Sequence, residues 1–270
     1  MILTIILIVL AFAEAGAIFY AFFANGIYFM LWLPVILLPI CYLLSFGLVL
    51  LILLIASLFI NTKKEVTKPS KVARFLVTQV VKQINMLANI HPRITGLNKV
   101  PHNSRYTIVY NHTSKFDPML IMDKLYQDDI ICVTKPSNIK IPITGPFIYK
   151  AGYIPVNREN NLEGMKAIEK AIGYIKNDVG SICISPEGTR SLDGTLLPFR
   201  AGAFNVAKRG ETPIVVMGFK NNKMIHKNFP KPTKVNMDVI EVIPYEQFKD
   251  MSTQELSDYV HKLYEEYLKD

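Results

Sequence analysis

The chain has 270 residues, 50% of them hydrophobic, and a formal net charge of +8 at pH 7. Its three cysteines are far apart and lack paired spacing, which excludes a disulfide framework, a zinc motif and a redox motif and predicts reduced, structural thiols. The first sixty residues contain a single charge, Glu14, and every Lys and Arg lies beyond them. The composition therefore separates a membrane-anchoring segment, residues 1–60, from a water-soluble domain, residues 61–270, that is long enough for one good core.

Two apolar segments, residues 1–24 and 31–60, open the chain. Each reaches the length of about 20 residues that a helix needs to cross a bilayer. A secretory signal peptide would begin with basic residues and end at a small-residue cleavage site, and the sequence does not follow that pattern. Asn25-Gly26 between the segments is a strong turn dipeptide, so we predict a membrane helical hairpin. Glycines and prolines along the segments also permit a hairpin that enters one leaflet only, and this alternative stays open.

Basic residues follow the second apolar segment closely, at Lys63, Lys64, Lys68, Lys71, Arg74 and Lys82. Such a flank marks the cytoplasmic side of a membrane, so we expect the large domain on the cytoplasmic side of the cell membrane. The N-terminus should share that side, because two spans separate it from the domain. With 30 basic and 21 acidic residues, residues 61–270 carry a net charge of +9, which favours an anionic surface or an anionic substrate.

The soluble part predicts an α/β domain. An amphipathic helix over about residues 70–90 either packs on the core or lies in the headgroup layer, and its apolar stripe is Val72, Phe75, Leu76, Val80, Ile84 and Leu87. Beyond it, short β-branched runs alternate with helical stretches, which predicts a mixed, largely parallel sheet flanked by helices. The predicted strands are residues 107–110, 130–134, 154–156, 181–184, 214–218 and 235–242. The predicted helices are residues 161–177 and 202–209 and a last helix after the capping box at 252–255.

The first candidate site is Asn-His112-Thr-Ser-Lys-Phe-Asp117-Pro, directly after the predicted strand that ends at Tyr110. His112 and Asp117 are five residues apart, about 140° around a helix, so at least one of them lies in the loop. A loop histidine with one ring nitrogen held by a carboxylate can take a proton from a hydroxyl with the other. Asp117 before Pro118 equally fits a helix N-cap with no catalytic role. A serine hydrolase is poorly supported, because Ser114 is not part of a Gly-x-Ser-x-Gly elbow.

The second candidate site is residues 185–191, Ser-Pro-Glu-Gly-Thr-Arg-Ser, which again follows an apolar strand. Glycine lets the backbone approach a ligand closely, and the guanidinium of Arg190 offers a planar fork for phosphate oxygens. Arg158 and Lys135 come after two other predicted strands. Three cations at neighbouring strand ends can converge on one phosphate. Taken in isolation, the segment is explained better by an ordinary turn with a solvated arginine.

Together these segments resemble the 1-acylglycerol-3-phosphate acyltransferase family, from about residue 93 to about residue 219. The family's His-x4-Asp block matches residues 112–117, its second block residues 152–158, its third residues 186–191, and its weaker fourth block residues 212–217. Phe-Arg-Ala-Gly at residues 199–202 is similar to the family's Phe-basic-x-Gly element. One block alone would be a weak signal, whereas four in order with compatible spacing are specific.

The resemblance implies transfer of a fatty acyl group from a thioester, on acyl carrier protein or coenzyme A, to the sn-2 hydroxyl of 1-acylglycerol 3-phosphate, which yields phosphatidic acid. In that scheme His112 removes the hydroxyl proton and Asp117 orients the imidazole. Backbone amides near Gly188 steady the developing oxyanion. No cofactor, metal or nucleic acid takes part. The residues expected at the acceptor phosphate are Arg158, Arg190, Lys135, Glu187, Gly188 and Thr189.

Three rival interpretations remain at this stage. A related acyltransferase could act on glycerol 3-phosphate or on another lysophospholipid, because the motifs do not separate these acceptors. A non-catalytic protein that binds anionic lipids would suit the basic flank and the anchor, but it has no use for a His and an Asp at this spacing. A membrane channel would leave the large soluble part unexplained.

Overall fold

The computed structural model describes residues 2–26, 33–157 and 160–269 of the chain. Two long apolar helices precede an α/β domain. The helices are α1 (Ile2–Ala24), α2 (Leu33–Leu58), α3 (Lys71–Leu87), α4 (Phe116–Lys124), α5 (Pro136–Ile139), α6 (Thr144–Lys150), α7 (Asn161–Lys176), α8 (Asn205–Gly210), α9 (Ile225–Asn228), α10 (Tyr245–Phe248) and α11 (Thr253–Lys269). The strands are β1 (Ile90–Thr95), β2 (Thr107–Tyr110), β3 (Ile131–Thr134), β4 (Ile154–Pro155), β5 (Ile182–Ile184), β6 (Ile214–Lys220) and β7 (Thr233–Ile243). Short 3-10 turns lie at Leu97–Lys99, Tyr126–Asp128, Ala201–Phe204 and Asn222–Met224.

Helices α1 and α2 pack against each other as the two arms of a hairpin, each long and apolar enough to cross a membrane. α1 ends in a turn at Gly26, where a φ of 77° suits a residue without a side chain. The one charge of the apolar segment is not left unpartnered, because the Ser45 hydroxyl donates a hydrogen bond of 3.0 Å to the Glu14 carboxylate. Small side chains let the two helices approach closely, and the buried ones are Ala11, Ala15 and Cys41.

Helix α3 packs on the core of the domain, and its predicted apolar stripe is partly wrong. Val72 is 70% exposed and Phe75 is 45% exposed, whereas Arg74, Gln79 and Gln83 are buried. The reason is that these polar side chains meet partners inside the protein. The guanidinium of Arg74 lies 2.8 Å from a carboxylate of the loop before β3 and also donates to backbone carbonyls. The amides of the two glutamines bond groups of α1 and α2, which attaches the hairpin to the domain.

The seven strands form one sheet in the order β1-β7-β6-β2-β5-β3-β4. All neighbouring pairs are parallel except β6 and β7, which are antiparallel. Helices flank this sheet, so the predicted fold class, a mixed and largely parallel α/β sheet preceded by an apolar helical hairpin, is confirmed. The carboxyl ends of β2, β5, β3 and β4 lie at the same end of the sheet because these strands run in the same direction.

Strand β1 is the strand that the sequence did not predict. It contains Pro92, which cannot donate a ladder hydrogen bond, and a proline argues against a strand inside a sheet. β1 pairs with β7 alone, so it lies at the edge of the sheet, where proline is tolerated. Each of the six predicted strands is present, with ends that differ by at most two residues.

The last helix, α11, closes the domain as predicted from its capping box. The backbone amide of Glu255 donates to the Ser252 hydroxyl at 3.1 Å, and the Glu255 carboxylate accepts from the Ser252 amide at 2.7 Å. Farther along, the buried Tyr264 hydroxyl lies 2.9 Å from the carbonyl oxygens of both Val109 and Met217. α11 therefore holds β2 and β6 together directly below the end of the sheet at which His112 is found.

Candidate active site

His112 lies in the loop between β2 and α4, and Asp117 lies in the first turn of α4. The ring nitrogen Nδ1 of His112 is 3.0 Å from Oδ2 of Asp117. Asp117 is fully buried, and its Oδ2 also accepts backbone N–H bonds from Thr113 at 2.7 Å and Ser114 at 2.8 Å. The alternative that Asp117 is a plain N-cap is wrong, because α4 begins one residue earlier and the carboxylate turns back into the loop.

The contact with Asp117 determines which nitrogen of His112 is basic. An ionised carboxylate only accepts hydrogen bonds, so Nδ1 carries the proton and Nε2 keeps its lone pair. Among the residues that the structure describes, none bonds to Nε2. The His112 side chain is 12% exposed, and its ring lies edge-on to the ring of Tyr110 with centroids 5.5 Å apart. The arrangement thus presents an oriented imidazole base at the end of a parallel strand.

The loop at residues 185–191 holds the backbone of His112 from both sides. Glu187 accepts the N–H of His112 with Oε1 at 2.6 Å, and the N–H of Ser191 donates to the carbonyl of His112 at 2.8 Å. The second oxygen of Glu187 accepts the N–H of Leu197 at 3.2 Å. Burial raises the pKa of Glu187 to about 7, against the two backbone hydrogen bonds that lower it, and the nearby charge of Asp117 raises it further. The two sequence motifs therefore form one site.

Gly188 occupies a position that favours glycine. Its φ of +69° lies in the left-handed region, and an added Cβ would lie 2.8 Å from Nε of Arg200. The Arg200 side chain therefore packs directly against the loop that holds His112. The amide of Gly188 already donates to the carbonyl of Ser185 at 3.2 Å, so the expected oxyanion donor cannot be this amide. The next two amides, of Thr189 and Arg190, donate to no other residue that the structure describes.

Two of the three predicted phosphate-binding cations, Arg190 and Lys135, lie at the same end of the sheet as His112. Arg190 is half-buried after β5, and Lys135 is exposed at the start of α5, directly after β3. β5 lies between β2 and β3, so both residues follow strands next to one another and near His112. In the part of the chain that the structure describes, neither side chain forms a hydrogen bond or an ion pair. Thr189 is exposed beside Arg190. Arg158, the third predicted cation, lies outside the described residues.

A cavity of about 390 Å³ lies on the other side of the loop that contains Glu187. Its wall toward the site is formed by Ser185, Pro186 and Gly188, and helix α7 forms the opposite wall with Gly164 and Ile168. The hydroxyl of Ser185 is buried and bonds to none of the described residues. The apolar part of the remaining lining includes Val133, Val156, Met165, Ala167, Ile184 and Ala203. The polar part is formed by Asn160, Asn161, Glu169, Arg200, Asn205 and Arg209.

Two side chains of the site were missed from the sequence. Arg200 lies in the Phe-Arg-Ala-Gly segment, so a signal was present but no role was assigned to it. Asn222 donates a hydrogen bond of 2.6 Å from Nδ2 to Oδ1 of Asp117. It lies in a short 3-10 turn after β6, 105 residues from Asp117, and belongs to no motif. Only the pairing of β6 with β2 brings it to the site.

Comparison with known proteins gives consistent matches. The family model described as Acyltransferase matches residues 91–220. The 1-acyl-sn-glycerol-3-phosphate acyltransferase of Haemophilus influenzae is 32% identical over 164 residues, which is 60% of this chain and 68% of that protein. The enzyme of the same name from Limnanthes douglasii is 26% identical over 165 residues, 61% of this chain and 58% of that protein. Among the relatives matched most strongly, the chain covers 61 to 68% of their length.

A solved structure shares the fold. The crystal structure of the 1-acyl-sn-glycerophosphate acyltransferase PlsC from Thermotoga maritima superimposes with a TM-score of 0.58 at 22% identity, covering 70% of this chain and 76% of that one. The four motifs, the sheet with its site at one edge, and these matches agree with one another. The chain therefore belongs to the 1-acyl-sn-glycerol-3-phosphate acyltransferase family.

Proposed function

We propose that this protein transfers a fatty acyl group from an acyl thioester to the sn-2 hydroxyl of 1-acylglycerol 3-phosphate, forming phosphatidic acid. The observation that carries the proposal is the contact between Nδ1 of His112 and the buried carboxylate of Asp117, at the carboxyl end of β2. It leaves Nε2 as the base of an oriented imidazole. Relatives that match about 60% of this chain carry the name of this reaction, which supports the choice of acceptor.

In the proposed reaction, Nε2 of His112 takes the proton of the acceptor hydroxyl while the hydroxyl oxygen bonds to the thioester carbonyl carbon. Asp117 stabilises the imidazolium that forms. The carbonyl reforms as the carbon–sulfur bond breaks, and the imidazolium returns its proton to the departing thiolate. The amides of Thr189 and Arg190, which donate to none of the described residues, are suitable donors for the oxyanion. The chain's own residues supply every proton transfer, with acyl-coenzyme A or acyl carrier protein as co-substrate and no bound cofactor.

The acceptor phosphate binds to Arg190 and Lys135, together with Arg158. Cations without an internal partner are available to an anion, and this description fits the first two among the residues that the structure describes. Arginine binds phosphate oxygens through a planar fork, and lysine acts as a point charge. Glu187 orders the loop through its bonds to His112 and Leu197, while Gly188 lets the backbone approach the ligand. Thr189 lies exposed beside Arg190, where its hydroxyl can donate to the phosphate.

The cavity beside this loop accommodates the acyl chain that is transferred. More of its exposed lining is apolar than polar, and its volume of about 390 Å³ lies within the usual range for small-molecule sites. It shares Ser185, Pro186 and Gly188 with the catalytic loop. An acyl chain gains free energy by leaving water for such a lining. The thioester carbonyl at its head then lies toward His112.

The hairpin of α1 and α2 anchors the protein in the cell membrane with the α/β domain on the cytoplasmic side. The exposed apolar surface of both helices and the basic residues after α2 support this arrangement. The lipid acceptor is then collected from the membrane, and the lipid product is returned to it. Protease protection on sealed vesicles tests the orientation, because the N-terminus and the domain should be digested from the same side. Digestion from opposite sides would contradict a hairpin that spans twice.

The activity is tested with the full-length protein in detergent or vesicles and radiolabelled acyl donors. 1-Acylglycerol 3-phosphate, glycerol 3-phosphate and lysophosphatidylcholine are compared as acceptors, each with acyl-coenzyme A and with acyl carrier protein thioester. We expect transfer to 1-acylglycerol 3-phosphate at the highest kcat/KM. A higher value for glycerol 3-phosphate would refute the acceptor. No transfer to any acceptor, combined with binding to anionic vesicles, would indicate a lipid-binding protein instead.

A further inference from the structure

The segment that follows β6 contacts the site at points that no sequence motif marks. Asn222 donates to Asp117 at 2.6 Å, and Nζ of the adjacent Lys223 donates to the backbone carbonyl of Asp193 at 2.6 Å. The ring of His226 packs against the first residue of α4, with ring centroids 5.5 Å apart. This segment therefore joins the start of α4, which carries Asp117, to the loop that follows residues 185–191.

The contact with Asp117 is special because of how the carboxylate is bonded. Oδ2 accepts three hydrogen bonds, from the His112 ring and from the N–H groups of Thr113 and Ser114. Oδ1 accepts one, and among the described residues its donor is Asn222 alone. Both side chains are fully buried, so water cannot replace that donor without a rearrangement.

The position of the Asn222 amide costs free energy, because one of its polar atoms is buried without a partner among the described residues. Its oxygen Oδ1 is buried and bonds to none of the described residues. Buried polar atoms without partners are uncommon, and each calls for an explanation. The N–H of the same amide supplies one: a carboxylate is a strong acceptor, and a hydrogen bond to a charged group is stronger than one between neutral groups.

We propose that Asn222 is a positioning residue for the acyl-transfer reaction, acting on His112 through Asp117. By holding Oδ1, it fixes the rotation of the Asp117 carboxylate so that Oδ2 stays aligned with Nδ1 of the imidazole. The imidazole in turn directs Nε2 at the acceptor hydroxyl. The inference rests on the proposed function for its kinetic tests, and a spectroscopic test separates the two.

The first test compares Asn222→Ala with Asn85→Ala. Asn85 is a matched control, because it is also buried and its Oδ1 likewise bonds to none of the described residues. It contacts the same helix α4 through the carbonyl of Met119 at 3.5 Å. Both variants should lose thermal stability. Only Asn222→Ala should lower kcat, by about ten- to hundredfold, which is the range for one hydrogen bond to a charged group. KM for both substrates should change less than about threefold, because Asn222 touches neither substrate. Equal kcat values for the two variants would refute the proposal.

The second test uses Asn222→Asp, which keeps the shape and replaces the donor by an acceptor. Two adjacent carboxylates cannot both ionise easily, so one of them holds a proton to higher pH than usual. When protonated, the new carboxylic acid can donate to Oδ1 as the amide did. The ratio of kcat in the variant to kcat in the parent should therefore rise as pH falls from about 9 to about 6. A ratio that does not change with pH would contradict the donor role.

The third test does not require turnover. The ¹⁵N chemical shifts of the His112 ring, measured in detergent micelles, report which nitrogen carries the proton. The parent should show the neutral ring protonated at Nδ1, and Asn222→Ala should show a mixture of the two tautomers. Asn85→Ala should resemble the parent. An unchanged tautomer in Asn222→Ala would refute positioning by Asn222, whereas a parent that transfers no acyl group while showing these shifts would refute the proposed function alone.

Discussion

Two pairs of His and Asp residues lie at opposite ends of the strands of the same sheet. At the carboxyl ends of the strands, Nδ1 of His112 is 3.0 Å from Asp117. At the amino ends, Nδ1 of His102 is 2.8 Å from Oδ2 of Asp128, in the turn before β3. The contact between ring and carboxylate is the same in both pairs. A short distance between these two residue types is therefore insufficient to identify a catalytic site.

The surroundings of the two pairs differ. The side chain of His102 is 50% exposed, and Asp128 uses the same oxygen to accept the hydroxyl of the buried Tyr106 at 2.8 Å. Burial, together with the hydrogen bond to Asp128, raises the pKa of Tyr106 far above its ordinary value, so this hydroxyl stays protonated. Arg105 adds an ion pair of 2.5 Å to Asp178. These contacts connect the segments that precede β2, β3 and β5. The His112 pair instead faces a loop with free amides and an arginine without a partner among the described residues.

The largest expected effect separates the two histidines. His112→Ala should lower acyl transfer by a factor of about 10² to 10⁴, because it removes the general base. His102→Ala should keep kcat within about threefold of the parent and mainly lower the melting temperature. Turnover and thermal unfolding are measured on both variants. Activity of His112→Ala within about tenfold of the parent would refute general-base catalysis by this residue.

Substitution of an arginine at the carboxyl ends of the strands should also have a different effect from substitution of one at the amino ends. Arg190→Ala should lower kcat/KM for the phosphorylated acceptor by at least about tenfold, the loss of one hydrogen bond to a charged group. Arg190→Lys should be harmful as well, because it keeps the charge and loses the planar fork. Arg105→Ala, at the amino ends of the strands, should lower stability and leave the acceptor preference unchanged. Arg158→Ala should behave like Arg190→Ala.

An acceptor without a phosphate provides the control for the arginine variants. They should lose much less activity toward it than toward 1-acylglycerol 3-phosphate. If Arg190→Ala and Arg158→Ala distinguish the two acceptors as well as the parent does, these arginines are structural and the acceptor assignment fails.

A smaller effect is expected on acyl chain length. Gly164→Leu projects a side chain into the cavity, since nothing lies within 4 Å of the added Cβ. The variant should shift the donor preference toward shorter acyl chains by several-fold in kcat/KM. The shift is limited because each methylene that loses its place in an apolar pocket costs at most about 1 to 3 kcal/mol. Gly173→Leu on the same helix has equal space but does not line the cavity, and it should leave the preference unchanged. A shift in the acceptor's chain preference instead would show that the cavity holds the acceptor.

The smallest expected effect concerns Glu187 and pH. Its pKa is about 7 in the folded protein against an ordinary value of 4.5, so the folded state binds the proton more tightly than the unfolded state. The contribution of Glu187 to stability is therefore full below about pH 4.5 and is lost as pH rises toward about 7. The melting temperature of the parent minus that of Glu187→Gln should decrease over this range. A difference that stays constant with pH would contradict the raised pKa.

Much of the domain was predictable from short-range pattern. The apolar lengths defined α1 and α2, the β-branched runs defined six strands, and the spacing of His112 and Asp117 gave a loop His beside a carboxylate. Two elements misled the prediction. β1 was not predicted. It contains Pro92, which is tolerated only in an edge strand, and the residues of a strand do not show whether it lies at the edge of a sheet. The stripe on α3 was partly reversed, because Arg74 and Gln83 are buried against partners that lie far away in the chain.

The sequence by itself determined the family, the fold class, the apolar hairpin and the residues of the two motif loops, since each depends on composition or on neighbours within a few positions. Only the tertiary structure decided that Glu187 bonds the backbone of His112, that Arg200 packs on Gly188, and that Asn222 completes the bonding of Asp117. These contacts join residues 12 to 105 positions apart and depend on the strand order, with β5 and β6 on either side of β2. Sequence spacing carries no record of that order, because parallel strands joined by helices can be arranged in several ways.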